Sequence, residues 1–309
     1  MVSNDNYLDQ GTPAQSGRHV PAMLNEVLQY LNPREGETIV DGTVGLGGHA
    51  QAILEKIGPT GKLIAVDRDR QSLEVARKNL SSAKNCEFVH DDYRNIDQIL
   101  QKLSVAQVDG ILLDLGISSF QMDNPERGFS IRSEGPLDMR MDQDSEMSAL
   151  DLINSLSERE LDAILKDYGQ ERFHARIARG LINARSRGSI ATTKDLAEVV
   201  LRSIPYYPRR EKIHPATRTF QALRIAVNRE LEGLEVALNK SISILKPGGR
   251  IAVIAFHSLE DKVVKEKFRD WRKLGTVKLI TKKPLRPTEE ETKNNSRARS
   301  ARLRIAERD

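Results

Sequence analysis

The segment Asp41-Gly-Thr-Val-Gly-Leu-Gly-Gly48 constrains this chain more than any other. It follows a short β-branched run, Thr38 to Val40, and precedes a helical pattern from His49 to Ile57. A strand that ends on an acid, turns through glycines and enters a helix opens a βαβ unit. Glycines let the backbone reach φ > 0 and approach a ligand closely. Gly47, Gly48 and His49 would then offer free N–H groups at the helix start. The next apolar run, Lys62 to Val66, ends at Asp67, nineteen residues after Gly48. An acid at that point commonly accepts both hydroxyls of a ribose.

The pattern continues with a helix over Gln71 to Leu80, a strand over Cys86 to Val89 and an apolar strand over Val108 to Leu113. Strands alternating with helices predict a parallel sheet covered on both faces. The segment Gln121 to Arg140 then reads as polar loop, and Ser148 to about Val200 as charged helix with no strand. The α/β pattern resumes with one long helix over Phe220 to Leu245, a turn at Lys246-Pro-Gly-Gly249 and a strand over Arg250 to Phe256. Ser258 caps a helix reaching about Lys273, and Thr276 to Thr281 and Arg302 to Ala306 read as two last strands. The polar stretch between them, Pro284 to Ala301, is expected to be a mobile loop. The reading is a discontinuous α/β domain over 1–122 and 216–309, interrupted by a mostly helical domain over 123–215.

Asp41, Asp67, Asp92 and Asp114 each fall at or just past one of the first four strand ends. They would line the carboxyl edge of the sheet, where α/β folds bind ligands. Such a cluster suits a cationic ligand and repels a pyrophosphate. S-adenosylmethionine, with a sulfonium and an amino group and no phosphate, fits better than a dinucleotide. Gly45-Leu-Gly47-Gly48-His49-Ala50 nevertheless half-matches the dinucleotide fingerprint, so a nicotinamide enzyme stays open at this point. No apolar run approaches the ~20 residues of a membrane span, and the N-terminal stretch lacks the features of a secretory signal. A single cysteine, Cys86, allows no internal disulfide and no multi-cysteine zinc site. It reads as a buried strand residue. These features favour the reducing cytoplasm.

Several long stretches carry a resemblance. They include His19-Val-Pro-Ala-Met-Leu-Asn-Glu-Val27, Asp41 to His49, Ala65-Val-Asp-Arg-Asp69 and Asp109-Gly-Ile-Leu-Leu-Asp-Leu-Gly-Ile-Ser-Ser119. Glu126-Arg-Gly-Phe-Ser130, Gly135-Pro-Leu-Asp-Met-Arg-Met-Asp142, Thr217 to Glu230 and Phe256-His-Ser-Leu-Glu-Asp261 follow in order. Together they resemble the ribosomal RNA small subunit methyltransferase H family, the MraW methylases. The resemblance implies an α/β fold, a class I (Rossmann-like) S-adenosylmethionine-dependent methyltransferase domain with an inserted helical domain. It implies methyl transfer to the exocyclic N(4) amine of a cytidine in the decoding region of 16S rRNA, within the small ribosomal subunit. It leaves room for a homodimer. The family's cofactor contacts carry over to Gly47, Gly48, His49, Asp67, Tyr93, Asp114 and Gln121; Tyr93 stands where the family has Phe, and an aromatic there can still pack on adenine. The Asn/Asp-Pro-Pro-aromatic motif of many DNA amino-methyltransferases is replaced by Asp114-Leu-Gly-Ile-Ser-Ser119.

A cytosine amine is a poor nucleophile, because its lone pair is delocalised into the ring. Acceptors near its N–H groups help it pyramidalise and lose a proton. Asp114 is the first candidate, followed by Asp138, Asp142 and His257. For RNA contacts, charge is the guide. Residues 172–224 carry twelve basic and three acidic side chains, and residues 262–309 sixteen and seven. Arg209, Arg210, Lys212 and His214, beside Tyr206 and Tyr207, form one candidate cluster. Arg297, Arg299, Arg302 and Arg304 form another, with Arg297 and Arg299 the residues expected to touch RNA. Cations bind phosphate, and an aromatic can stack on an unpaired base.

Overall fold

The computed structural model describes residues 21–205 and 213–309. The strands are β1 (Thr38–Asp41), β2 (Lys62–Asp67), β3 (Cys86–His90), β4 (Val108–Asp114), β5 (Leu245–Ala255), β6 (Val277–Leu279) and β7 (Arg302–Arg308). They form one sheet in the order β3-β2-β1-β4-β5-β7-β6. The first five are parallel, and β7 runs antiparallel to both β5 and β6. The order reverses at β1, so the first β-strand, its neighbour β4 and their loops make a topological switch point. This is the expected α/β class I methyltransferase sheet, with its antiparallel seventh strand.

One face of the sheet is covered by α1 (Leu24–Leu31), α2 (Gly48–Ile57) and α3 (Arg70–Asn79). The other packs on α4 (Ile96–Lys102), with α11 (Glu230–Ile244) and α12 (Ser258–Lys273) beside it. Ile64, Ile111, Val253 and their neighbours are fully buried, as a strand covered on both faces requires. A short α5 (Ser119–Asp123) leaves the sheet edge. It leads to a helical layer of α6 (Ala149–Ser155), α7 (Glu158–Asp167), α8 (His174–Ser186), α9 (Thr193–Ser203) and α10 (Thr217–Asn228). These helices have their own apolar core, from Phe129 to Leu223. Ser148, Ser157 and Thr192 each close a capping box that starts one of them.

Three sequence expectations need correction. The long helix over Phe220 to Leu245 is two helices, α10 and α11, broken at Arg229 in the left-handed region (φ 47). Phe220 and Leu223 of α10 pack in the helical layer's core, not against the sheet. The expected strand at Arg250 begins earlier, because Leu245 pairs with Val108 before Lys246–Gly249 bulges out. The stretch Pro284 to Ala301 is ordered: it holds α13 (Glu289–Asn294) and a 3₁₀ turn (Ser296–Ser300). Ala298 and Ala301 are buried there, and Glu291 accepts the backbone N–H of Met23 at 2.6 Å. Polarity alone suggested a loop, but two small apolar residues are enough to pin it.

Candidate active site

The ends of β1, β2 and β4 converge on a cleft at the switch point. It encloses about 1210 Å³ of free space including its mouth, ample for a nucleoside with an acceptor group beside it. Asp41, at the end of β1, is buried; its Oδ1 accepts the Thr43 N–H at 3.1 Å and its Oδ2 has no partner. The glycine turn follows, with Gly45 at φ 53 and Gly47 at φ 90. At Gly47 a side chain would also meet Leu80, and at Gly48 the ring of Pro21, each 3.1 Å from a Cβ. Asp67 pins this turn: its Oδ2 accepts Gly45 N–H at 2.7 Å and its Oδ1 accepts Asp69 N–H at 2.8 Å. Burial pushes Asp41 up to about 7 and Asp67 up to about 6.

Asp114, at the end of β4, is held by its backbone N–H, which donates to Thr43 Oγ1 at 2.7 Å. Its Oδ2 lies 3.5 Å from His49 Nδ1, and its Oδ1 is buried with no partner. Burial, then the Asp41 and Glu260 charges, hold this carboxyl well above the usual range. His49 Nε2 is 3.0 Å from the Ala22 carbonyl oxygen and so carries the proton. In the neutral ring its Nδ1 therefore turns a lone pair toward Asp114, where it can share a proton.

Gly48, His49, Asp67, Tyr93, Asp114 and Gln121 all line the cleft; Gly47 stands behind them as the left-handed cap of α2. Tyr93 is buried, and a Cβ on Gly42 would come within 3.2 Å of its own Cβ. Gln121 has its side chain engaged: Oε1 accepts Ser118 N–H and Nε2 donates to Asp69. Asp92, the remaining strand-end acid, does not face the cleft. Arg68 and Arg94 bind it at 3.2 and 2.7 Å and hold it below the usual carboxylate range.

Of the candidate proton acceptors, the cleft takes in Asp114 alone. Asp138 is ion-paired to Arg140 at 2.7 Å, and Asp142 accepts the Asp144 N–H in a turn; Met141, between Arg140 and Asp142, lines the cleft instead. His257, not Ser258 as the sequence suggested, caps α12, its Nδ1 accepting Glu260 N–H; Ser258 is the first residue of the helix. Among the RNA candidates, Arg297 sits at the cleft mouth, paired with Asp123, and Arg299 is exposed. Arg302 and Arg304 do not extend that cluster, since both bind Asp261 along β7. His214 borders a separate small pocket with Arg172 and Arg218. Arg209, Arg210 and Lys212, with Tyr206 and Tyr207, lie outside the described residues.

Sequence reading gave no role to Glu230 and Glu260, which also line the cleft, or to Arg224 and Arg127. All four lie in stretches that carried the resemblance, but only the fold shows which helix faces turn inward. Glu230, His257 and Glu260 each bring one polar atom within 4.8 Å of the others. Arg224 binds Glu230 through two 2.8 Å bonds, and Glu260 accepts two backbone N–H groups, so both carboxylates are held in place.

Asp67, Asp114, Glu230 and Glu260 line the cleft, Asp114 with a buried oxygen unpartnered, and this carboxylate-rich lining fits a cationic nucleoside. Fold and site together define a class I S-adenosylmethionine-dependent methyltransferase. The MraW methylase family matches residues 16–309, and the chain belongs to that family. It is 47% identical over 305 residues to the ribosomal RNA small subunit methyltransferase H of Halothermothrix orenii, covering 94% of this chain and 98% of that one. The protein of that name from Syntrophotalea carbinolica is 48% identical over 308 residues, with 94% and 98% covered. Among solved structures, an rRNA methylase from Streptococcus thermophilus aligns over 90% of each chain, at 13% identity and a TM-score of 0.41.

Proposed function

We propose that this chain methylates the N(4) amine of a cytidine in the decoding region of small-subunit 16S rRNA, in the cytoplasm. The observation that carries the reading is Asp114, the one expected proton acceptor that the fold places in the cleft, with a buried oxygen unpartnered. The relatives' name supports an rRNA substrate. We assign Asp67 to the ribose hydroxyls, Tyr93 to the adenine and the Gly47–His49 helix start to the carboxylate end of the cofactor. The helical layer is the substrate-recognition part.

S-adenosylmethionine, when bound, supplies an electrophilic methyl on a sulfonium. The chain's task is to hold the amine in line with it, and positioning of this kind can supply several kcal/mol, on the order of 7–11 at best. The bound group would give up its methyl and leave as a neutral thioether, so the chain itself has only the amine proton to move. One amine proton passes to Asp114, whose raised affinity for protons suits it to the task. His49 Nδ1, 3.5 Å away, can then take that proton.

The test is methyl transfer from labelled S-adenosylmethionine to small subunits lacking the modification, followed by nucleoside analysis. Label in N(4)-methylcytidine is expected. Bound cofactor with label elsewhere, or with none, would overturn the choice of acceptor.

A further inference from the structure

The cleft is also lined by residues just past the ends of β4 and β5. Gly116, Ile117, Phe256 and Met141 make its apolar walls. A Cβ on Gly116 would sit 3.5 Å from the Phe256 ring, so the absence of a side chain leaves that ring face open. Two carboxylates close this end. Glu230 is 7% exposed and Glu260 2%. The break at Arg229 starts α11 afresh at Glu230 and turns it inward. Arg224 grips Glu230 with Nε and Nη2, each at 2.8 Å. Glu260 is fixed by the N–H groups of Phe256 (2.8 Å) and His257 (3.2 Å) on one oxygen, and its other oxygen lies 3.2 Å from His257 Nε2.

We propose that Glu230 and Glu260 form the acceptor edge that receives one N–H bond of the target amine and aims its nitrogen at the methyl group, leaving the other N–H to Asp114. Arg224 and His257 act on them as positioning residues. The inference rests on the reading of the acceptor as an amine-bearing base. Apolar walls ending in acceptors suit a planar ring with a donor at its edge. A carbonyl in that place would face two buried carboxylates, and sites built for a donor reject the analogue that lacks it. The cations that line the cleft are engaged elsewhere, Arg68 with Asp92 and Asn228, and Arg297 with Asp123. The division of labour is chemical. Glu260 is held below the usual carboxylate range by His257 and Arg224, so it accepts hydrogen bonds while staying ionised. Asp114 is held above that range and takes the proton.

The test compares Glu230→Gln, Glu230→Asp and Glu260→Gln with the wild-type chain on unmodified small subunits. Cofactor binding and melting temperature are measured in parallel. Each variant is expected to lose about 10²-fold in kcat with KM for the subunit and the Kd for S-adenosylmethionine within about twofold. The acid limb of the kcat–pH profile, set by Asp114, is expected to stay in place in Glu230→Asp and to move to lower pH in Glu260→Gln, which removes a charge that raises Asp114, while the plateau drops in each. Glu230→Asp keeps the charge that Arg224 needs but shortens the reach. If Glu230 served only to neutralise Arg224, that variant would keep full turnover, and this result would overturn the proposal. Variants that retain kcat would overturn it too. A wild-type chain that leaves cytidine unlabelled would instead refute the reading beneath.

Discussion

At the scale of residues, the acids at the strand ends set both affinity and pH response. Asp67 has two jobs, since it anchors Gly45 and Asp69 and faces the cleft. Asp67→Asn should weaken S-adenosylmethionine binding by at least tenfold, read by calorimetry, through loss of a charged acceptor worth about 1.5–3 kcal/mol. Its titration gives a second expectation. The folded value is about 6 for Asp67 and about 7 for Asp41, against 3.8 for the free side chain. Both are raised, so the ligand-free fold keeps protons that the unfolded chain has released. Their contribution to stability is full below about pH 4 and is lost as pH rises through 6 to 7. Melting temperature without cofactor should therefore fall across that window, and Asp67→Asn should remove its part of the slope. Asp114→Asn should cost at least 10²-fold in kcat measured at saturating S-adenosylmethionine. An unchanged kcat would exclude Asp114 as the proton acceptor.

At the scale of elements, two buried side chains lace the loop before α6 to the sheet. Arg127, 1% exposed, binds Asp69 at 2.8 Å and donates to the carbonyls of Arg140 and Met141. Asn228 donates to the Met139 carbonyl and accepts Met141 N–H and Arg68 Nη2. Together they fix the backbone that presents Met141 to the cleft, with Met139 held at φ 60. The same connection has no room for side chains: a Cβ on Gly135 would fall 1.9 Å from the Pro125 carbonyl oxygen. Arg127→Ala leaves Asp69 buried without its counter-charge, which costs about 3–5 kcal/mol. The melting temperature should drop steeply, and any folded fraction should bind cofactor poorly, because Asp69 also holds Asp67 and Gln121. The strands and the glycine turn were legible because period, acids and glycines are local signals. The break at Arg229 was not, since Phe220 to Leu245 keeps an apolar helical pattern straight through it. What breaks the helix is tertiary: Asn228 is spent on Arg68 and Met139–Met141, and Glu230 on Arg224.

At the scale of the whole molecule, the question is where the basic excess remains free to meet phosphate. Charge counts along the chain marked residues 172–224 and 262–309 alike. The fold separates them. In the second segment Arg302 and Arg304 neutralise Asp261, and in the first Arg224 and Arg202 neutralise Glu230 and Glu198. Arg185 is spent on the carbonyls of Ile153, Asn154 and Leu156. Arg172 and Arg218 are exposed, make no ion pair with the described residues and flank His214 at one small pocket of the helical layer, with Arg172 also 5.5 Å above the Phe173 ring. Linear sequence could not separate these groups, because pairing partners such as Glu230 and Asp261 come from other elements or turns. If this pocket's rim takes RNA backbone, each arginine contributes about one counterion to the salt dependence of binding. Arg172→Ala and Arg218→Ala should each reduce the slope of log affinity against log salt by about 1, raise KM for small subunits and leave kcat nearly unchanged. Arg304→Ala should lower the melting temperature with the slope intact, since its charge faces Asp261. Equal slopes in all three variants and the wild type would move the RNA contact away from the helical layer.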